Sequence, residues 1–288
     1  MKKYLKMLGS ALLLIGVYIV SQVVAGAILG IVIALINIDK VNDAAFLQQT
    51  LDANIQYLML LGIVISTIII FIGYNKRMKD KIKNCNFTSI SFKNVSFALI
   101  IGFMFNILIN SIFILIQTSQ TFVNSPELQK VFLNYSEKVS GLINGNIITT
   151  LLIIGVLVPV FEEFLYRGLI YKRFIKDINI WAAIIIQAIL FGLSHLNLIQ
   201  GIYTFLFGIA LGLIYHWVKS IWAPIIVHIT FNSANYIVGL VLSLLGNSIF
   251  GVVITLIISI ASILIILYRI KKDYDKKNSE AIEITSIA

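Results

Sequence analysis

Apolar stretches long enough to cross a bilayer dominate this chain. Eight can be drawn, at roughly 8–36, 56–74, 95–117, 147–171, 180–198, 201–218, 222–245 and 249–268, and a crossing helix needs about 20 apolar residues. Inside hydrocarbon each stretch must satisfy its own backbone hydrogen bonds, which leaves helices as the spanning structure. Composition agrees: the 288 residues are 59% hydrophobic and 12% charged, against about 25% charged in an ordinary soluble domain. The expected fold is all-α, a polytopic membrane bundle of about eight transmembrane helices.

The cations test that count. Lys2, Lys3 and Lys6 precede the first stretch, and Lys76, Arg77, Lys79, Lys81 and Lys83 follow the second. Lys172, Arg173 and Lys176 follow the fourth, Lys219 the sixth, and Arg269, Lys271 and Lys272 the eighth. All fall on one side of an eight-span zigzag, so the positive-inside rule puts both termini in the cytoplasm. The net charge of +9 therefore suits an anionic membrane surface and argues against nucleic acid as a partner. The single cysteine, Cys85, excludes an intrachain disulfide and a cysteine-based zinc site. The first apolar run is about twice the length of a signal-peptide core and reads as an uncleaved transmembrane helix. Lysine greatly outnumbers arginine, a bias common in AT-rich bacteria, and the expected location is a bacterial plasma membrane.

Between the spans, 37–55 and 118–146 are the longer loops, with room for short amphipathic helices at the interface. The tail from about residue 271 is polar, charged and expected to be disordered. The chain divides into 1–140, transmembrane helices and loops of unassigned role; 141–245, where the polar residues concentrate; and 246–288, the last helix and tail.

Those polar residues sit where charge is costly. "GVLVPVFEEFLYRGLIYKRF" at 155–174 places Glu162, Glu163 and Arg167 inside the fourth span. An ionised group at the bilayer centre costs at least about 2.5–3.5 kcal/mol. Glu163 and Arg167 are four apart and can pair across one turn. Glu162 is rotated about 100° away and has no local cation; a spare buried carboxylate suits a general base. Pro159, one turn earlier, loosens the helix. Of three histidines, His195 ends "AILFGLSHL", His228 lies in "APIIVHITFNSAN" four residues before Asn232, and His216 belongs to an interfacial "IYHWVKS". Phe191 and His195 share a face, as do His228 and Asn232. At 1.5 Å per residue, Glu162 and Asn232 lie about 15 Å from the cytoplasmic ends, His228 about 9 Å and His195 about 22 Å. With helix tilt, one polar site in the cytoplasmic half or middle of the bundle is expected.

The order "EEFLYR" at 162–167, "FGLSH" at 191–195 and "HITFN" at 228–232 resembles the CPBP family. These are the CAAX proteases and bacteriocin-processing enzymes, also called Abi proteins, related to type II CAAX prenyl endopeptidases. The likeness covers about residues 145–240. It implies an intramembrane endopeptidase that hydrolyses a peptide bond near a membrane anchor, in a CAAX-type protein, a bacteriocin leader or a membrane peptide. By that resemblance Glu162 activates a water, helped by His195. Glu163 and Arg167 support the site, and His228 with Asn232 stabilises the oxyanion. The expected partners are a membrane-associated peptide or protein substrate and the lipid bilayer.

Two chemistries stay open. Glu162, His195 and His228 could form a zinc set with a free fourth position. The absence of a same-helix H-E-x-x-H and the presence of Asn232 favour a glutamate mechanism without metal. The alternative function is a non-catalytic membrane scaffold or bacteriocin immunity protein on the same fold.

Overall fold

The computed structural model describes residues 2–74, 78–143, 146–244 and 248–287; Lys76 and Arg77 of the second basic cluster lie outside them. Every regular element among the described residues is helical. In chain order they are α1 (Lys2–Ile36), α2 (Ala44–Ala53), α3 (Ile55–Tyr74), α4 (Met78–Asn84), α5 (Phe92–Gln117) and α6 (Gln120–Val123). Then come α7 (Pro126–Ile143), α8 (Ile147–Phe174), α9 (Ile180–Leu193), α10 (Leu198–Val218), α11 (Trp222–Leu244) and α12 (Ile249–Ile287).

Seven of these are long and apolar enough to cross a membrane, and α9 is a shorter apolar helix of 14 residues. The chain is an integral membrane protein with the expected bundle. The difference at α9 has a local cause. The predicted span ran to 198, but Leu196 takes a left-handed backbone, φ 51°, which breaks a helix of L-residues. Asn197 then caps α10 through its side chain on the Gln200 N–H. At 1.5 Å per residue α9 reaches only about 20 Å, so His195 ends inside the bundle rather than at its surface. The same capping by Asp43, Ser91, Asn146 and Asn179 starts α2, α5, α8 and α9.

The loop segments 37–55 and 118–146 do carry helices, α2, α6 and α7. The tail departs from the expected disorder: α12 continues unbroken through its polar half to Ile287. Lys271–Asp275 and Lys276–Glu280 pair one turn apart, and Lys93 of α5 pairs with Asp273 at 2.6 Å. Intrahelical pairs support a helix, and Tyr274 against His216 and Lys219 anchors it. Lys3 meets Asp177 at 3.0 Å. Cations at the ends of α1, α8, α10 and α12 thus gather at one end of the bundle, as the zigzag requires; α2 and α7 contact each other at the other end.

Burial identifies the centre. The most hydrophobic stretch of α10 is 50% buried and that of α8 44%, against 17% in α1. Peripheral helices show single apolar side chains such as Leu13, Ile72 and Ile257 outward, the face expected toward lipid tails. Between bilayer helices tight packing replaces the hydrophobic effect, and small residues permit it. Gly102 lies where α5 crosses α11: a β-carbon there would stand 2.3 Å from the Val227 carbonyl oxygen and 2.7 Å from Thr230 Cβ. Gly102→Ala must push two backbones apart. The expected loss is at least about 1–3 kcal/mol, read as a lower unfolding midpoint in detergent, with Gly73→Ala, which meets nothing, as the neutral control.

Candidate active site

Helix α8 is not a plain α-helix. Residues Leu151–Leu157 and Phe164–Tyr171 are π-helical, and the α-helical Val158–Glu163 between them carries both glutamates. Pro159 has no N–H for the Gly155 carbonyl, so the α ladder fails there and a wider turn takes over. The central helix thereby presents Glu162 and Glu163 on a short rigid step.

Glu163, Arg167 and Phe191 are fully buried, at 0% exposure, and Glu162 and His228 nearly so. Arg167 donates through Nη1 to Glu163 Oε1 at 2.9 Å and through Nη2 to the Gly208 carbonyl at 3.2 Å. Its guanidinium lies over the Phe191 ring, 4.8 Å from the centroid. Gln187 Nε2 donates to the same carbonyl at 2.9 Å. Gly208 is required for that approach, because a β-carbon would sit 3.1–3.2 Å from Ala188 and Phe191.

His228 joins the two carboxylates. Nδ1 lies 2.8 Å from Glu163 Oε1, and Nε2 faces Glu162 Oε2 at 3.7 Å. A carboxylate accepts, so Nδ1 carries the proton of that contact and Nε2 is turned to Glu162. Glu162 Oε1 accepts from the Tyr18 hydroxyl of α1 at 3.2 Å. The expectation that Glu162 has no local cation holds along α8; its facing group comes from α11 instead.

His195 Nδ1 lies 2.8 Å from its own Phe191 carbonyl, which sets Nδ1 as donor and leaves Nε2 free. The Phe191 ring makes edge contacts with both histidines, centroids 4.9 Å from His195 and 5.9 Å from His228. Asn232 donates one amide hydrogen to the Ile154 carbonyl at 2.9 Å. Glu162, His195, His228 and Asn232 all line one cavity of about 330 Å³, and Glu163 and Arg167 stand behind it. The cavity reaches Ile55 at the start of α3 and Lys138 on α7, so it extends toward the end opposite the gathered cations. The sequence-based expectation is the cytoplasmic half or middle of the bundle; α9 stops short, and α7 reaches its end through the Lys138–His195 contact.

Three contributors were missed in the sequence. Tyr18 sat in a stretch read as scaffold, although Tyr18, Ser21 and Gln22 form a polar spot in α1 that could have flagged it. Gly208 gave no signal apart from its small size. Lys138, in a loop segment, donates to the His195 carbonyl at 2.9 Å, and partial burial holds its ammonium below the ordinary lysine pKa. His216 contacts Tyr171 and Tyr274, in agreement with its interfacial reading. Among the described residues, no three His, Cys, Asp or Glu side chains are arranged to hold a metal ion. The Glu162, His195 and His228 set as it stands does not fit a zinc.

The comparisons bear on the same segment. Residues 144–234 match the family model of the type II CAAX prenyl endopeptidase Rce1-like proteins. Over 75 residues the chain is 28% identical to a Bacillus subtilis (strain 168) protein named "Putative membrane peptidase YdiL". The match covers 26% of this chain and 31% of that protein, so the chain spans about a third of the length of the curated relative it matches. No solved structure matches. Residues 144–234, the segment similar to the type II CAAX prenyl endopeptidase Rce1-like proteins, hold all six site residues.

Proposed function

We propose that this protein is an intramembrane endopeptidase that hydrolyses a peptide bond near a membrane anchor, using a water activated by Glu162. The observation that carries the reading is the buried relay Arg167–Glu163–His228, which aims His228 Nε2 at Glu162 on the wall of a cavity. A histidine fixed through one nitrogen by a carboxylate presents the other nitrogen in a defined orientation.

In this reading, water in the cavity gives a proton to Glu162 as its oxygen attacks the carbonyl carbon. The oxyanion receives hydrogen bonds from protonated His228 and from the second amide hydrogen of Asn232. Glu162 then passes its proton to the amine nitrogen as the C–N bond breaks, leaving an acid and an amine. His195, its Nδ1 engaged, offers Nε2 to the water. Tyr18 holds the far oxygen of Glu162. With the cationic end of the bundle in the cytoplasm of a bacterial plasma membrane, the α7 end of the cavity faces outward.

The test uses purified full-length protein in liposomes with an N-palmitoylated peptide library, products read by mass spectrometry. Cleavage is expected, and it should persist at an unchanged rate after treatment with EDTA and 1,10-phenanthroline. Loss on chelation with recovery on added zinc would replace the glutamate mechanism by a metal one. Absence of any cleavage would leave the family fold acting as a membrane scaffold.

A further inference from the structure

A second cavity, of about 390 Å³, adjoins the first. The two share Ile154, Gln200, Tyr203, Phe231 and Asn232 as a common wall. The second is walled by carboxamides: Asn106 and Asn110 of α5 and Asn232 and Asn235 of α11, with Gln200 at the junction. None of its lining side chains is charged.

The amides form a ladder. Asn110 donates to the carbonyl and side-chain oxygens of Asn106, both at 2.9 Å. Asn106 in turn donates to the Phe231 carbonyl and to Asn235 Oδ1, both at 2.8 Å, and Asn235 donates to the Asn232 carbonyl at 3.2 Å. The side-chain oxygen of Gln200 is buried without a hydrogen-bond partner among the described residues. Buried polar groups in a membrane bundle are costly and point to function. This set is more than packing α5 on α11 requires, since Gly102 already allows that approach.

We infer that this carboxamide cavity is a substrate subsite that holds an extended, uncharged stretch of the peptide on one side of the scissile bond. The inference rests on the proteolytic reading and adds to it the class of residue the site takes. A peptide inside a membrane protein brings backbone N–H and C=O groups that must all find partners. A carboxamide offers two donors and an acceptor. The ladder engages the amide hydrogens of Asn106 and Asn110, so the side-chain oxygens of Asn110 and Gln200 and the second amide hydrogen of Asn235 are the groups left for a peptide. The other chamber is walled by Ile19, Val23, Ile55, Leu58 and Met59 and suits an apolar segment. Asn232 belongs to both walls, so the scissile bond falls at the junction. Phe113, Tyr135 and Tyr203 flank the ladder and give side chains a surface that a water passage would not need. Two or three extended residues span about 7–10 Å at 3.3 Å each, and a charge among them in this uncharged cavity would be left unpaired.

The same library tests this. Wild-type cleavage products should exclude Lys, Arg, Asp and Glu at two or three consecutive positions on one side of the cut. Asn110→Asp should admit Lys or Arg at one of those positions, by about tenfold or more over wild type. An unchanged residue profile in that variant overturns the inference, also where the rate falls uniformly, as for a cavity that holds water alone.

Photocrosslinking reads the cavity without turnover. In Glu162→Gln protein, p-benzoylphenylalanine replacing Asn235 should capture the palmitoylated, biotin-tagged peptides, whereas the same group replacing the outward Leu99 should not. Capture at 235 without cleavage by wild type keeps the subsite and removes the protease. Cleavage without capture at 235 removes the subsite alone. Neither signal removes both.

Discussion

Glu162→Gln should lower peptide cleavage by about 10²–10⁴-fold, the contribution of a positioned general base, while the protein folds as before. The amide keeps the carboxylate's shape, and its oxygen can still accept from Tyr18, whose hydroxyl reaches Glu162 at 3.2 Å. What is lost is the capacity to take the water proton. The His228–Glu163 contact at 2.8 Å is untouched, so His228 stays oriented. Cleavage in liposomes and the unfolding midpoint in detergent separate the two effects. A variant with wild-type cleavage would show that Glu162 is not the base. One with a midpoint lowered by many degrees would show that the carboxylate holds the fold, and any loss of activity would then say nothing about proton transfer.

How much of this site could be read from the chain depends on how local each relation is. Glu163 and Arg167 are one helical turn apart, and their pairing follows from spacing alone. The same holds for the shared face of His228 and Asn232 and for the eight apolar stretches. His228 lies 65 residues from Glu163, and Tyr18 lies 144 residues from Glu162; no periodicity reports such a pairing. Helix depth put Glu162, His195, His228 and Asn232 within reach of one site, and the motif order joined α8, α9 and α11 by resemblance; neither said which side chains meet. The early end of α9 turns on one left-handed residue, Leu196, whose identity does not announce that conformation. Charge runs misled at the tail, where Lys271, Asp275, Lys276 and Glu280 suggested disorder by composition but support a helix by their four-residue spacing. The carboxamide ladder was hidden because Asn106 and Asn110 sit in a stretch whose mean character is apolar.

Arg167→Ala should cost about 3–5 kcal/mol, the range for removing one partner of a buried ion pair, and should sharply lower the yield of folded protein. The guanidinium is fully buried and holds three things at once: Glu163, the Gly208 carbonyl and the Phe191 ring. The cluster has little reserve, because Glu163 Oε2 and Arg167 Nε are already buried without hydrogen-bond partners among the described residues. Alanine leaves Glu163 with only His228 and opens a void beside Phe191. Adding Glu163→Gln to Arg167→Ala removes the stranded charge, so the double variant should regain part of the stability, measured by thermal unfolding in detergent. Its cleavage should stay low, since a neutral amide no longer fixes His228 as a carboxylate does. This split matters because a purely structural arginine predicts that stability and cleavage per folded molecule recover together. Wild-type yield and midpoint in Arg167→Ala would mean that the ion pair is worth little, and that the cluster is kept for the orientation of His228 rather than to hold α8 against α9 and α10.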